Sequence, residues 1–445
     1  MPEAPPFNPS GSSEERITAH WALCPTPTGV EVRQGVRCVV DPYTSLIMAC
    51  QAKGQEAWAD IDLSRGTTLL TPGLINTHTH LELFRTAPIE RHPDQTFADW
   101  LLAVIDYKRG STMVDAISAC HHSMVELITS GTTCVNDISS EGASLVALEQ
   151  IGLRGTVSPE SIILGDLSDV GGPTAEQQCQ QAIERWLSLQ ESWDKHPLLR
   201  LGVSPHSPYN MTPAVWEQLV THTTPALVHT HLAETRDELT YFKTGSASLS
   251  ELDEKILGKR FVPPQVGVSP VVAYEAQWGS HTNVVAAHGV FLDEADIGIL
   301  AQHDVAMAHC PQSNQWLSGI EAVMPYHKLK AAGLRVGLGT DSSLSCPRLD
   351  LRTEARLAQT LHGLGLEETL QLCTVNGAAV LGQAELLGQL REGYKADLVL
   401  WWHPSADPAT LSDPLALWLD PDTIAVMVWV DGRLILDRCD TLWSQ

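Results

Sequence analysis

The chain has 445 residues, 28 Lys and Arg against 53 Asp and Glu for a formal charge of −25, and 43% hydrophobic residues. That apolar content argues against disorder as the main state, and the acidic surplus, with no Lys/Arg-rich stretch to offset it, argues against nucleic acid or an anionic membrane as the main partner. A small molecule is the default ligand. There is no run of about 18 apolar residues, and the opening MPEAPPFNPSGSSEER is polar and acidic where a signal sequence is basic and then apolar, so a cytoplasmic location is expected. Ten scattered cysteines without a C-x-x-C pair read as thiols and not as a disulfide framework or zinc knuckle.

Residues 1–15, rich in Pro, Ser and Glu, are expected to be disordered. Residues 16–70 carry short alternating apolar segments such as VEVRQGVRCVV and predict the first part of a small β-sandwich. From 71 to 385 the texture changes. Eight short β-type runs, near 74–80, 132–138, 154–162, 201–208, 226–234, 283–290, 305–313 and 335–342, each end in polar residues and lead into a helix-compatible stretch. Strand and helix alternating eight times predict an α/β fold of the (β/α)8 TIM-barrel type, with an open doubly wound sheet as the alternative. Residues 386–445 return to β texture, with Asp431-Gly432 as a hairpin signal, and are expected to complete the flanking sandwich.

A barrel places its chemistry at the C-terminal ends of its strands. The residues that fall there are His78, His80, His206, His231, Glu234, His288 and Asp341. Alternation along a strand aims His78 and His80 into one space, and His231 from the fifth strand with Asp341 from the eighth would complete three nitrogens and one carboxylate for a single divalent ion, zinc being the natural fit. In VHTHLAE, His231 is the preferred ligand because it lies nearer the strand end, which leaves His229 a supporting role. Glu234 is the candidate proton shuttle and His288 a candidate to hold the attacking oxygen; Asp341 would also accept its proton. Trp100 and Trp316, read as lying in loops above the barrel, could stack on a flat heterocycle.

The segments TPGLINTHTH, THLAET, AAHGVFLDE, AHCPQSN, GLGTDSS, TVNGAAVLG and GYKADLVLW resemble, in order and spacing, the amidohydrolase superfamily over most of residues 17–435. The resemblance is closest to the branch of cytosine, guanine and S-adenosylhomocysteine or methylthioadenosine deaminases and triazine hydrolases. It implies a mononuclear zinc (sometimes iron) held by His78, His80, His231 and Asp341, with catalytic roles for Glu234, His288 and Asp341. The absence of a Lys in LGVSPHSPY argues against a second metal. His206 matches a substrate-contacting position. HTHLELF followed by FADW is similar to the aminodeoxyfutalosine deaminases, which would give Glu82 a substrate contact; Phe84 and the lack of a following Arg-Gly depart from the pattern and leave the substrate open. The activity implied is hydrolytic deamination of an adenine-type nucleoside or aminated heterocycle. The alternatives are a triazine-type chlorohydrolase and a non-catalytic assembly protein on the same fold. The resemblance also admits a homo-oligomer.

Overall fold

The computed structural model describes residues 15–53, 66–85, 89, 95–279, 281 and 283–439. The expected disorder of residues 1–14 lies outside them, whereas Glu15 already belongs to the first strand. The chain divides into two compact units, one of residues 1–24, 31–72 and 389–445 and one of residues 25–30 and 73–388.

The first unit is built on β1 (Glu15–Thr26), β2 (Gly29–Val40), β3 (Ile47–Ala52) and β4 (Thr67–Pro72) from one end of the chain. The other end supplies β14 (Leu398–His403), β15 (Ile424–Val430) and β16 (Arg433–Asp437). They hydrogen-bond as a single seven-stranded sheet in the order β16-β15-β14-β4-β1-β2-β3, where two separate layers were expected. The reason is β4. It runs parallel to β1 and antiparallel to β14, from Leu398 opposite Pro72 to His403 opposite Thr67, so it joins the two chain ends into one ladder. Ile17, Val36, Cys38, Leu70, Leu398 and Trp429 are among the buried side chains of its core. Asp431 and Gly432, with φ of 50° and 72°, form the two-residue turn between β15 and β16, a conformation that favours an Asp-Gly pair.

The second unit holds β5 (Leu74–Thr79), β6 (Thr132–Ser139), β7 (Arg154–Ser161), β8 (Leu199–Leu201), β9 (Ser204–Pro205), β10 (Val228–Leu232), β11 (Val284–His288), β12 (Ala306–His309) and β13 (Val336–Leu338). All pairings among them are parallel, in two arcs, β5-β6-β7-β8 with β9 also on β7, and β10-β11-β12-β13. Parallel bridges, Thr79 to Asp341 and Val203 to Val228, link the arcs at both junctions. Residues of β5, β6, β7, β10, β11, β12 and β13 are buried throughout, as expected where helices cover parallel strands. The fourth of the eight strand units is split. A side chain on Gly202, between β8 and β9, would place its Cβ 2.2 Å from Ser158 Oγ, so close contact with the third strand requires glycine there.

The junction of last and first strands positions the chemistry. Thr340 N–H and Asp341 N–H both donate to the His78 carbonyl at 3.0 Å. Gly339 permits this, since its Cβ would stand 2.8 Å from His78 Cβ and 2.9 Å from His78 N. Among the described residues no helix is long and apolar enough to cross a membrane. Replacing Gly339 by Ala is expected to lower the unfolding free energy by roughly 1 to 3 kcal/mol, the usual cost of overpacking, as read from urea denaturation; a variant as stable as the parent would contradict the close packing of this junction.

Candidate metal centre and active site

β5 ends on His78-x-His80, and alternation brings both rings to one side. The Nε2 atoms of His78 and His80 lie 3.8 and 3.7 Å from Asp341 Oδ1, and His80 Nε2 lies 3.1 Å from His231 Nε2. Donors on a tetrahedron with arms of about 2.0–2.1 Å stand roughly 3.3 Å apart, so these separations suit one shared cation. The far sides of two of the rings are fixed. His78 Nδ1 meets His229 Nε2 at 2.9 Å, and His231 Nδ1–H donates to the His206 carbonyl at 2.9 Å. That leaves Nε2 of His231 with a lone pair directed inward. His78 Nε2 is buried without a hydrogen-bond partner among the described residues, which is the signature of an atom awaiting another ligand. Burial pushes the titration of His78 and His231 well below the ordinary histidine range; it also lowers His80, to about 4, against the pull of Asp341. Neutral imidazoles are the form a metal binds. His78, His80, His231 and Asp341 can hold a divalent cation, and His229, next to His78, stands behind that set.

Asp341 is aimed by its neighbours. Ser313 Oγ and Ser345 Oγ donate to Oδ2 at 2.6 and 2.9 Å, and Ser342 N–H donates to Oδ1 at 2.7 Å. His288 Nδ1–H donates to Asn314 Oδ1 at 2.9 Å, and its Nε2, buried and without a hydrogen bond, faces Glu234 Oε1 at 3.5 Å. Ala233, His288 and Asp341 all have left-handed backbone, with φ of 50°, 75° and 58°. Such conformations cost of order 1 to 3 kcal/mol each outside glycine. Three of them at the ends of β10, β11 and β13 mark where the fold accepts strain to turn side chains inward. Glu234 is buried, and burial raises its carboxyl above the ordinary range, His288 opposing and Asp341 adding to the effect.

A cavity of about 220 Å³ opens on this cluster, lined by His80, His206, His231, Glu234 and Asp341 at the strand ends. A wider trough of about 1070 Å³ beside Trp193 and His196 is rimmed by exposed acidic groups and holds none of these residues. His206 does reach the cavity: Asn210 Nδ2–H donates to its Nδ1 at 2.7 Å, so Nε2 carries the proton and faces Glu160 Oε1 at 3.6 Å. Glu82 does not line it. Its carboxylate accepts from Ser140 N–H at 2.6 Å and Ser139 Oγ at 3.1 Å, which ties it to the end of β6. A carboxylate that does line it, besides Glu234 and Asp341, is Glu160, at the end of β7, paired with Lys108 Nζ at 2.9 Å.

Trp100 also lines the cavity, but from a helix and not a loop. Thr96 and Asp99 form a capping box that starts the helix Phe97–Arg109, and this T-x-x-D signal was present in the sequence. Trp316 likewise lies in a helix, Pro311–Ser318, with Nε1–H donating to the Ile89 carbonyl, and is not among the cavity's lining residues. The sequence reading selected neither Ser313 nor Asn314, although both lie in the AHCPQSN segment, nor Glu160, although its strand-end position was the same signal that marked the others.

The amidohydrolase family pattern matches residues 69–435, and the chain belongs to that family. A 5-methylthioadenosine/S-adenosylhomocysteine deaminase of Thermococcus onnurineus is 31% identical over 364 residues, covering 78% of this chain and 77% of the relative. The solved adenosine deaminase of Xanthomonas campestris, which carries bound zinc, superposes with a TM-score of 0.72 at 24% identity over 95% of this chain and 92% of that one. The Helicobacter pylori aminofutalosine deaminase in complex with methylthio-coformycin gives 0.78 at 18% identity over 94% and 99%.

His229→Ala should weaken binding of a divalent cation by about 10- to 100-fold, the usual effect of removing a ligand's supporting partner, in competition against a chromophoric chelator; unaltered affinity would show that His229 does not support His78. A second expectation concerns Glu238, whose carboxylate accepts from Glu234 N–H at 2.9 Å. Burial pushes it from 4.5 up to about 8, so the folded chain keeps a proton that the unfolded chain releases. Its stabilising contribution is full below about pH 4.5 and lost as pH rises toward 8. Glu238→Gln is expected to flatten the decline of unfolding free energy across that window, and parallel pH profiles for variant and parent would refute this.

Proposed function

We propose that this chain is a mononuclear metal-dependent deaminase of adenine-type nucleosides, working at the C-terminal mouth of a closed (β/α)8 barrel. The closure reading rests on the two bridges that join the parallel arcs. The observation that carries the functional reading is the convergence of His78, His80 and Asp341, with His231 Nε2 3.1 Å from His80 Nε2, beside a buried Glu234–His288 pair. His78, His80, His231 and Asp341 are the proposed ligands, and a donor set of three nitrogens and one oxygen favours zinc. A cation held there makes water a nucleophile near neutral pH.

The chain's own groups then divide the proton work. Asp341, its Oδ2 held by two serine hydroxyls, accepts a proton from the attacking water. Glu234, whose burial favours the protonated carboxyl, donates to the ring nitrogen next to the amine-bearing carbon. His288, fixed through Nδ1 on Asn314, steadies the incoming oxygen with Nε2. A C–O bond forms, the exocyclic C–N bond breaks, and the amine leaves as ammonia after taking up a proton. His206, Glu160 and Trp100 are the proposed contacts for the rest of the nucleoside, Trp100 Nε1–H and Tyr209 O–H being buried in the cavity wall without partners among the described residues. The adenine-type substrate is supported by the name of the Thermococcus relative, a 5-methylthioadenosine/S-adenosylhomocysteine deaminase.

Ammonia release from adenosine, methylthioadenosine, S-adenosylhomocysteine, guanine and cytosine tests the reading, together with metal analysis. Glu234→Gln is expected to keep about one metal ion per chain while losing on the order of 10² to 10⁴ in kcat. Full activity in that variant, or no turnover of any adenine compound by the metal-loaded protein, would overturn the proposal.

A further inference from the structure

The strand ends supply the polar groups of the cavity, and two helices supply much of the rest of its wall. From the helix Phe97–Arg109 come Phe97, Trp100, Leu101, Val104, Ile105 and Lys108, spaced by three, one, three, one and three residues, which is a single helical face. The helix Ser248–Leu257 presents Leu249, Leu252, Asp253, Ile256 and Leu257, again one face. Ile162 and Leu164 add to the apolar surface. Because the reacting ring carbon must lie at the strand ends, the opposite end of a nucleoside falls against these helices.

The charges in that chamber are lopsided. Lys108 is the one ammonium or guanidinium group among the described residues that line it, and its Nζ is already paired with Glu160 at 2.9 Å, the Lys108 side chain being 30% exposed and that of Glu160 only 7%. That contact is an ion pair, so the two groups are internally neutral. Asp253 has no hydrogen bond or ion pair among the described residues, and partial burial raises its carboxyl to about 7. An amino-acid tail brought in by a substrate is a zwitterion: its carboxylate would lose water and meet no unpaired cation, a loss that contact of its ammonium with Asp253 does not offset. An uncharged alkyl or thioether group would lose nothing of the kind and would cover the leucine and isoleucine side chains.

Resting on the deaminase reading above, we infer that the helical chamber selects adenine nucleosides whose 5′ position carries a short uncharged apolar group and rejects those carrying an amino-acid tail, because its wall is apolar and its one cation, Lys108, is already paired with Glu160. The Thermococcus relative is named for both kinds of substrate, and the chamber here separates them.

The test is kcat/KM for ammonia release from methylthioadenosine and from S-adenosylhomocysteine, measured on the metal-loaded full chain and on Asp253→Arg, which puts the missing cation in the chamber wall. The expected ratio in favour of methylthioadenosine is at least 50-fold in the parent, falling at least fivefold in the variant. Because each protein supplies its own ratio, a partly misfolded variant does not disturb the comparison. A parent ratio below 50 overturns the inference and leaves the deaminase reading intact; a ratio unmoved by Asp253→Arg overturns the missing cation as the cause of the selection. Absence of turnover with every adenine nucleoside overturns the deaminase reading, and this inference with it.

Discussion

Three desolvated imidazoles pointed at one another and at a carboxylate form an arrangement that a folded chain supports only with help. His78, His80 and His231 give up hydration to lie within a few ångströms of one another, and burial keeps them neutral, so no ion pair with Asp341 compensates the loss. A shared cation would resolve the conflict, and the surrounding contacts of the second unit keep the donors from relaxing apart. The His206 carbonyl fixes His231, His229 backs His78, and two serine hydroxyls fix Asp341. Removing one of these supports would take away the contact that orients that donor toward the others.

The same constraint explains where backbone strain is stored. His288 and Asp341 bring an imidazole and a carboxylate to the cluster from left-handed backbone, at positions where glycine would be free of penalty but would bring no side chain. Chemistry takes precedence over local preference at those two residues, and neighbouring hydrogen bonds hold the unfavourable geometry in place. Stability and activity are therefore opposed there.

Much of this was legible in the amino-acid order. Each of the eight β-type runs in the second unit contains a strand, because a parallel strand buried on both faces leaves a compact apolar signature that ends abruptly in polar residues. Histidines at those ends stood out for the same reason, and alternation alone placed His78 beside His80. The parts that did not show have physical causes. Glu82 and Glu160 are both carboxylates near strand ends, and what separates them is whether Ser139 and Ser140 or Lys108 stands opposite, which depends on contacts distant in sequence. Trp100 read as a loop residue because FADW is short and its capping box uses Asp in place of Glu or Gln. The single continuous sheet of the first unit hinges on β4 choosing partners from both chain ends, a matter of pairing that local periodicity does not encode.

That pairing has an outcome for biosynthesis. β4 is complete at Pro72, but the strand that covers its second edge does not begin until Leu398. At about 5 to 20 residues per second a ribosome needs tens of seconds to make the intervening chain. Throughout that interval one side of β4 offers unsatisfied amides and carbonyls to any passing strand. A nascent chain stalled short of β14 is thus left with a sticky edge, and quality control of this protein has a defined window in which to act.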